Sequence, residues 1–501
     1  MNSASAAPAA EPTGLKRFFR HSAIYAFGSI INRLGAFLLL PLYTNYLSVA
    51  EYGSLELFYT ISSIVYGLLS VGIAHATLRF YYEYKTDKDR HALVHTNFVA
   101  IFAIGIIGAL LVSIWSEDIT AIFFTRGAYP WGMPLVLATM VFELGSQVCL
   151  AYVRAVERSM FFVGIAVAKL LVQVALNAVL VVHFHAGVEG VLLGNLFAVL
   201  LGFVVLGAFT IYHCGIGFDT TKMFPVLRYS SPFLLSAMLA LAAGNIDRVL
   251  LSAKVSLAAL GVYALASKFA TLLNELIGEP FNRSYGALRF AVMDKPEAAP
   301  TQEKITRYFA VGMIAAGLGL VLFTREILVI TSDPQYWGAA VYLPLLALVA
   351  FFRAMNYPMQ TGILYGKHTT QLFYIKLVTT VAAVGLNFAL VGPFGITGVC
   401  VAVLIASILE MVITDYWSQK VFPVRYHWWR IGVAGILAAI FYALSLPLNP
   451  LSLAWSIPLK TLLWLVFAVA VLFSPALRRE EVQNLRGMAQ SMLAKRARSS
   501  I

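Results

Sequence analysis

An apolar stretch of this chain returns, barely altered, 210 positions later. Residues 133–143 read MPLVLATMVFE, and residues 343–353 read LPLLALVAFFR. Each run ends on its one ionisable residue, Glu143 in the first and Arg353 in the second. A chain that repeats an apolar unit of this length reads as two copies of one membrane-embedded helical bundle, and such duplication marks transporter folds. The opposed charges fall at membrane depth, where an ionisable group is expensive and marks pairing or function.

Further echoes extend the duplication. Residues 174–180 (VALNAVL) match residues 384–390 (VGLNFAL), and Gly187 and Gly190 match Gly395 and Gly398. Hydrophobic residues make up 60% of the chain and charged residues only 12%, about half the charge of a soluble domain. The chain therefore reads as an all-α polytopic membrane protein. About fourteen apolar runs reach the roughly 20 residues that a span needs. They centre near residues 33, 66, 103, 143, 172, 200, 242, 270, 318, 351, 381, 407, 438 and 464.

Basic residues give the orientation, since cytoplasmic loops are rich in Lys and Arg. With the N-terminus inside, most bases fall on cytoplasmic segments, and only Arg126, Lys254, Arg325 and Lys460 fall outside. The net charge of +12 is thus a topology signal and not a nucleic-acid patch. Both termini are expected in the cytoplasm. Tryptophans fall near span ends, as indole rings prefer the headgroup level, except Trp464, which lies mid-span.

The expected organisation is a cytoplasmic tail (1–19), an N-lobe of six spans (20–215) and a cytoplasmic linker (216–230). A C-lobe of six spans (231–420), two further helices (428–475) and a basic cytoplasmic tail (476–501) complete it. Parallel repeats place a pseudo-twofold axis along the membrane normal, with the substrate path between the lobes.

Arg33, Lys268 and Arg353 lie about ten residues or more from either end of their spans, some 15 Å deep. They are candidates to line an aqueous cavity, and the alternative is a buried ion pair. Asp247 and Arg248 are adjacent, so they point to different helix faces. Lys376, nearer the cytoplasm, fits snorkelling. Asn177 and Asn387, at matched places, fit interhelical glue better than ligand contact. Cys149, Cys214 and Cys400 share no CxxC spacing and the histidines no ligand spacing, so neither a disulfide framework nor a metal site is expected. No Walker A sequence is present.

At residues 41–58 (PLYTNYLSVAEYGSLELF) and 246–269 (IDRVLLSAKVSLAALGVYALASKF) the chain resembles polysaccharide flippases of the Wzx type. That family belongs to the MOP superfamily, with lipid II flippases and MATE drug exporters. The resemblance extends to span number and duplication. It implies two six-helix lobes in a V, with the extra helices forming a groove for a lipid tail. It implies movement of an undecaprenyl-diphosphate-linked oligosaccharide across the bacterial inner membrane through a cationic central cavity. Polysaccharide polymerase and export machinery would be partners. Arg33, Arg248, Lys268 and Arg353 are the candidate substrate-binding residues, since Arg and Lys compensate desolvated phosphate. Glu143 and Asp247 are the candidate ion-coupling residues, for H+ or Na+, and no other cofactor is expected. The competing readings are a cation-coupled MATE-type drug exporter and a membrane glycosyltransferase or polymerase. The short outer loops disfavour an enzyme.

Overall fold

A computed structural model describes residues 35, 37–70, 72–292 and 296–476. Arg33, the N-terminal tail and the basic C-terminal tail lie outside these residues. Among the described residues, eleven helices are long and apolar enough to cross a membrane. The chain divides into two compact units, 1–258 and 259–501.

The first unit holds α1 (Leu40–Tyr46), α2 (Val49–Ser70), α3 (Ile73–Glu83), α4 (Asp87–Ile114), α5 (Ser116–Phe123) and α6 (Gly132–Ala155). It continues with α7 (Ser159–Asn177), a π-helical segment (Ala178–His183), α8 (Gly187–Cys214) and α9 (Thr220–Lys254). Helix α6 is the hub, packed by α4, α8 and α3. Its Met133, Leu137, Met140, Leu144 and Val148 recur every three or four residues and form the core with Ile73, Leu93 and Ile101. Lipid tails are as apolar as leucine, so close packing rather than exclusion from water holds such helices together. Gly194 shows the requirement, because a Cβ there would lie 2.1 Å from the Asn177 side-chain oxygen.

The segment expected as a linker is helical from Thr220 onward. Asp219 caps α9 by accepting from the Thr221 amide at 2.9 Å, and Lys222 pairs with Asp89 at 2.6 Å. His95 Nδ1 meets the Gly217 carbonyl at 2.8 Å. These bonds pin the start of α9 to the start of α4, and α9 packs mainly along α2.

The second unit holds α10 (Leu257–Leu273), a π-helical segment (Asn274–Gly278), α11 (Glu279–Val292), α12 (Ala298–Thr331), α13 (Leu343–Met359) and α14 (Thr361–Tyr365). Helices α15 (Thr369–Val421), α16 (Trp428–Ser445) and α17 (Leu453–Phe473) complete it. Its core joins Phe309, Met313, Ala350, Ala354, Met355 and Met411. A second core joins Leu318 and Leu322 of α12 to Ala434 of α16 and Phe467 of α17. Trp464, out of place by the interface rule, donates its indole N–H to the Ala315 carbonyl at 2.9 Å.

At 53 residues, α15 is too long to cross once, since it would measure about 80 Å against a hydrocarbon core of about 30 Å. The run breaks at Gly395, with φ 54° and ψ −131°, a conformation essentially reserved for glycine. Gly187, its match in the first unit, has φ 53°. Gly395→Ala is expected to cost about 1–3 kcal/mol, read as a lower thermal midpoint in detergent.

Candidate functional site

Helix α13 carries Arg353 ten residues from its first residue, Leu343, about 15 Å along the axis. The side chain is exposed and makes no hydrogen bond or ion pair among the described residues. One turn on, Tyr357 donates its hydroxyl to Glu279 at 2.9 Å. The Asn274 amide reaches that hydroxyl at 3.5 Å. Asn274 opens the π-helical segment and Glu279 follows it, so the widened turn is fastened to α13 through Tyr357. Such bulges recur at functional sites because they re-aim side chains against the regular helix. Lys268 and Glu275, both half-buried, stand on the same chain segment. The acids Glu275 and Glu279 thus lie on the same segments as Lys268 or bond to the helix of Arg353, the two bases chosen from sequence as site candidates.

The candidates of the first unit are more enclosed. Arg248 is half-buried and within electrostatic reach of Tyr52. Asp247, 7% exposed, accepts from the Arg248 backbone N–H at 2.8 Å. Tyr52, fully buried, is hydrogen-bonded to Glu56, itself 2% exposed. Asn177 donates to the Tyr43 hydroxyl at 2.7 Å, joining α7 to α1. Asn387, by contrast, bonds within its own helix, to the Ala383 carbonyl at 2.9 Å. Glu143 is half-buried, within electrostatic reach of Tyr66. Glu56 was not singled out from sequence, although its signal was present: an acid four residues after a tyrosine inside an apolar run.

The second unit contains an apolar groove of about 510 Å³ between α12, α13 and α16. Gly317, Phe351, Trp428, Gly432, Gly435 and Tyr442 are among its walls. From Trp428 to Tyr442 it follows α16 for about 21 Å, at 1.5 Å per residue. Glycines on α16 leave the room that larger side chains would fill. Pockets of this size suit small ligands or part of a long one.

Two bases placed by sequence near the ends of their spans are ion-paired. Lys460, expected outside, is 1% exposed and reaches Glu326 at 2.7 Å, the Leu322 carbonyl at 2.9 Å and Asn449 at 2.8 Å. Ser456 also donates to Glu326. Lys376, expected to snorkel, pairs with Glu410 at 3.1 Å.

Several known proteins are similar to this chain. The family model described as "Polysaccharide biosynthesis protein" matches residues 18–285. "Lsg locus putative protein 1" of Haemophilus influenzae is 22% identical over 364 residues, covering 70% of this chain and 86% of its own. The structure titled "Lipid II flippase MurJ, inward closed conformation" aligns with a TM-score of 0.71 at 13% identity, covering 89% of this chain and 98% of its own. A MATE transporter of Vibrio cholerae aligns at 0.55 and 15% identity, covering 81% of this chain and 96% of its own. At such identities the structural likeness speaks for the fold, which this chain shares with both transporters. The family match takes in more than half of the sequence, and the chain belongs to the polysaccharide biosynthesis protein family.

Proposed function

We propose that this multi-pass membrane protein flips an undecaprenyl-diphosphate-linked oligosaccharide across the bacterial inner membrane by alternating access, for surface polysaccharide assembly. The observation that carries the reading is Arg353, an exposed guanidinium without a partner among the described residues, inside the membrane-length span Pro334–Tyr365. A planar guanidinium at that depth matches phosphate bidentately and repays its own desolvation only when an anion arrives. Lys268 adds a second cation, and Arg33 and Arg248 complete the proposed set. The groove of the second unit takes part of the isoprenoid tail.

Fourteen spans in two six-span repeats fit this mechanism. Eleven candidate helices are described. The break at Gly395 makes α15 two spans, the 35-residue α9 adds one, and the apolar run near residue 33 supplies the last. The shared left-handed φ of Gly187 and Gly395 supports the repeat. With an even number, both termini stay in the cytoplasm.

Glu143 and Asp247 are the proposed ion-coupling carboxylates, for H+ or Na+. A second reading, export of a drug against a cation gradient, draws on the MATE fold likeness and on Glu275 and Glu279 among the bases. Purified protein in liposomes separates the two. The expected result is transfer of a fluorescent prenyl-diphosphate glycan between leaflets, with drug efflux at background. Drug efflux without glycan transfer would reverse the assignment. Sugar incorporation by the protein alone would make it an enzyme.

A further inference from the structure

Beside the groove lies a cluster of different chemistry. On α12 the wall residues Ile314, Gly317 and Val321 continue a stripe that begins at Glu303, Arg307 and Ala310, in alternating steps of four and three. Such spacing keeps one face of a helix. Arg307, 1% exposed, donates from Nε to Glu303 Oε1 at 3.0 Å and from a terminal nitrogen to the Ala476 carbonyl at 3.3 Å. His427 Nδ1 lies 3.2 Å from the same Glu303 oxygen. His427 is the N-cap residue of α16, and its neighbour Trp428 lines the end of the groove. One carboxylate therefore joins two walls of the groove at one end.

We infer that Glu303, Arg307 and His427 form a latch closing the cytoplasmic-leaflet end of the groove, set by protonation of His427. The inference rests on the groove being the lipid-tail site. Arg307 holds Glu303 from the same helix, so the fixed arm belongs to α12. The moving arm is His427, whose side chain is 40% exposed and open to protons. Neutral histidine can donate from Nδ1 in only one tautomer, whereas the imidazolium always donates and adds charge. Protonation of His427 therefore shuts the latch and deprotonation loosens it. The surrounding charges leave His427 as the variable element. Glu303 and Arg307 face it from α12. Asp415 of α15 bonds Gln419 at 3.2 Å and acts on Tyr426. Arg430, on its own helix, donates to the Pro475 carbonyl at 3.3 Å. When the latch opens, Trp428 parts from α12 and a prenyl chain can enter from the inner leaflet.

The test uses full-length protein in phosphatidylethanolamine–phosphatidylglycerol nanodiscs. Spin labels replace Lys304 and Arg425, and distances are read at about pH 5.5 and 8. No prenyl lipid is present. The closed population is expected to outweigh the open one about fivefold more at the lower pH, as when a neutral hydrogen bond becomes charge-assisted. His427→Gln, which keeps a donor but cannot titrate, should lose the pH response, and His427→Ala should stay open at both values. Distances unmoved by pH in the unaltered chain, or a full response in H427Q, would overturn the latch. A second arm photolabels with a diazirine-bearing prenyl diphosphate. Adducts near Gly432 and Gly435 are expected, about fivefold more abundant at the higher pH. Equal yields there at both values overturn the gate. Adducts elsewhere, with the distance response intact, overturn the lipid-tail reading instead.

Discussion

Replacing Arg353 with alanine should lower surface polysaccharide export about ten- to a hundredfold at unchanged protein level. A hydrogen bond to a charged group contributes about 1.5–3 kcal/mol, and each 1.4 kcal/mol is roughly tenfold in an equilibrium. Stability should hardly move, because the exposed side chain has no partner among the described residues to lose and such substitutions stay within about 0.5 kcal/mol. Arg353→Lys keeps the charge but loses the planar fork, so its export should fall between the two. The measurement is polymer at the cell surface, normalised to protein detected in membranes. Normal export by R353A would remove the guanidinium from the mechanism, and a fall in protein level would reassign it to the scaffold.

Why Arg353 could be read from sequence, and others could not, follows from what each residue depends on. Its significance lies within one helix: a base far from either end of an apolar run is anomalous wherever that helix packs. Gly395 is similar, since a run too long for one crossing must turn somewhere and glycine is where it can. The Lys460–Glu326 pair depends on a partner 134 positions away. Lys460 taken alone sits where a loop residue would, and only the packing of α17 on α12 shows it buried. Lys376 shares that blind spot, because snorkelling and pairing look alike until Glu410 is placed. The groove needs walls from residue 313 to residue 442, and no local pattern announces a space between three helices. The π-helical segment at Asn274–Gly278 is equally silent, since one extra residue in a turn leaves the apolar period nearly unchanged.

The same dependence makes α17 the place where a single change should do most damage. Glu326 and Lys460 are 2% and 1% exposed, and they join α12 to the last described helix. Removing one member of a buried pair leaves the other charge without compensation, at a cost of about 3–5 kcal/mol, while replacing both with well-packed apolar residues is often neutral. Lys460→Met is therefore expected to lower the thermal midpoint sharply, and the double replacement E326L with K460M should restore most of the loss. Export separates two roles for the pair. If the pair only anchors α17, the double variant exports normally once its stability returns. If the charges themselves take part in transport, the double variant is stable and inactive. The contacts favour anchoring, because Lys460 already reaches Glu326, Asn449 and the Leu322 carbonyl, which use all three of its donors and leave none for a passing anion. A stable but silent double variant would contradict that accounting and move Lys460 from the scaffold into the transport path.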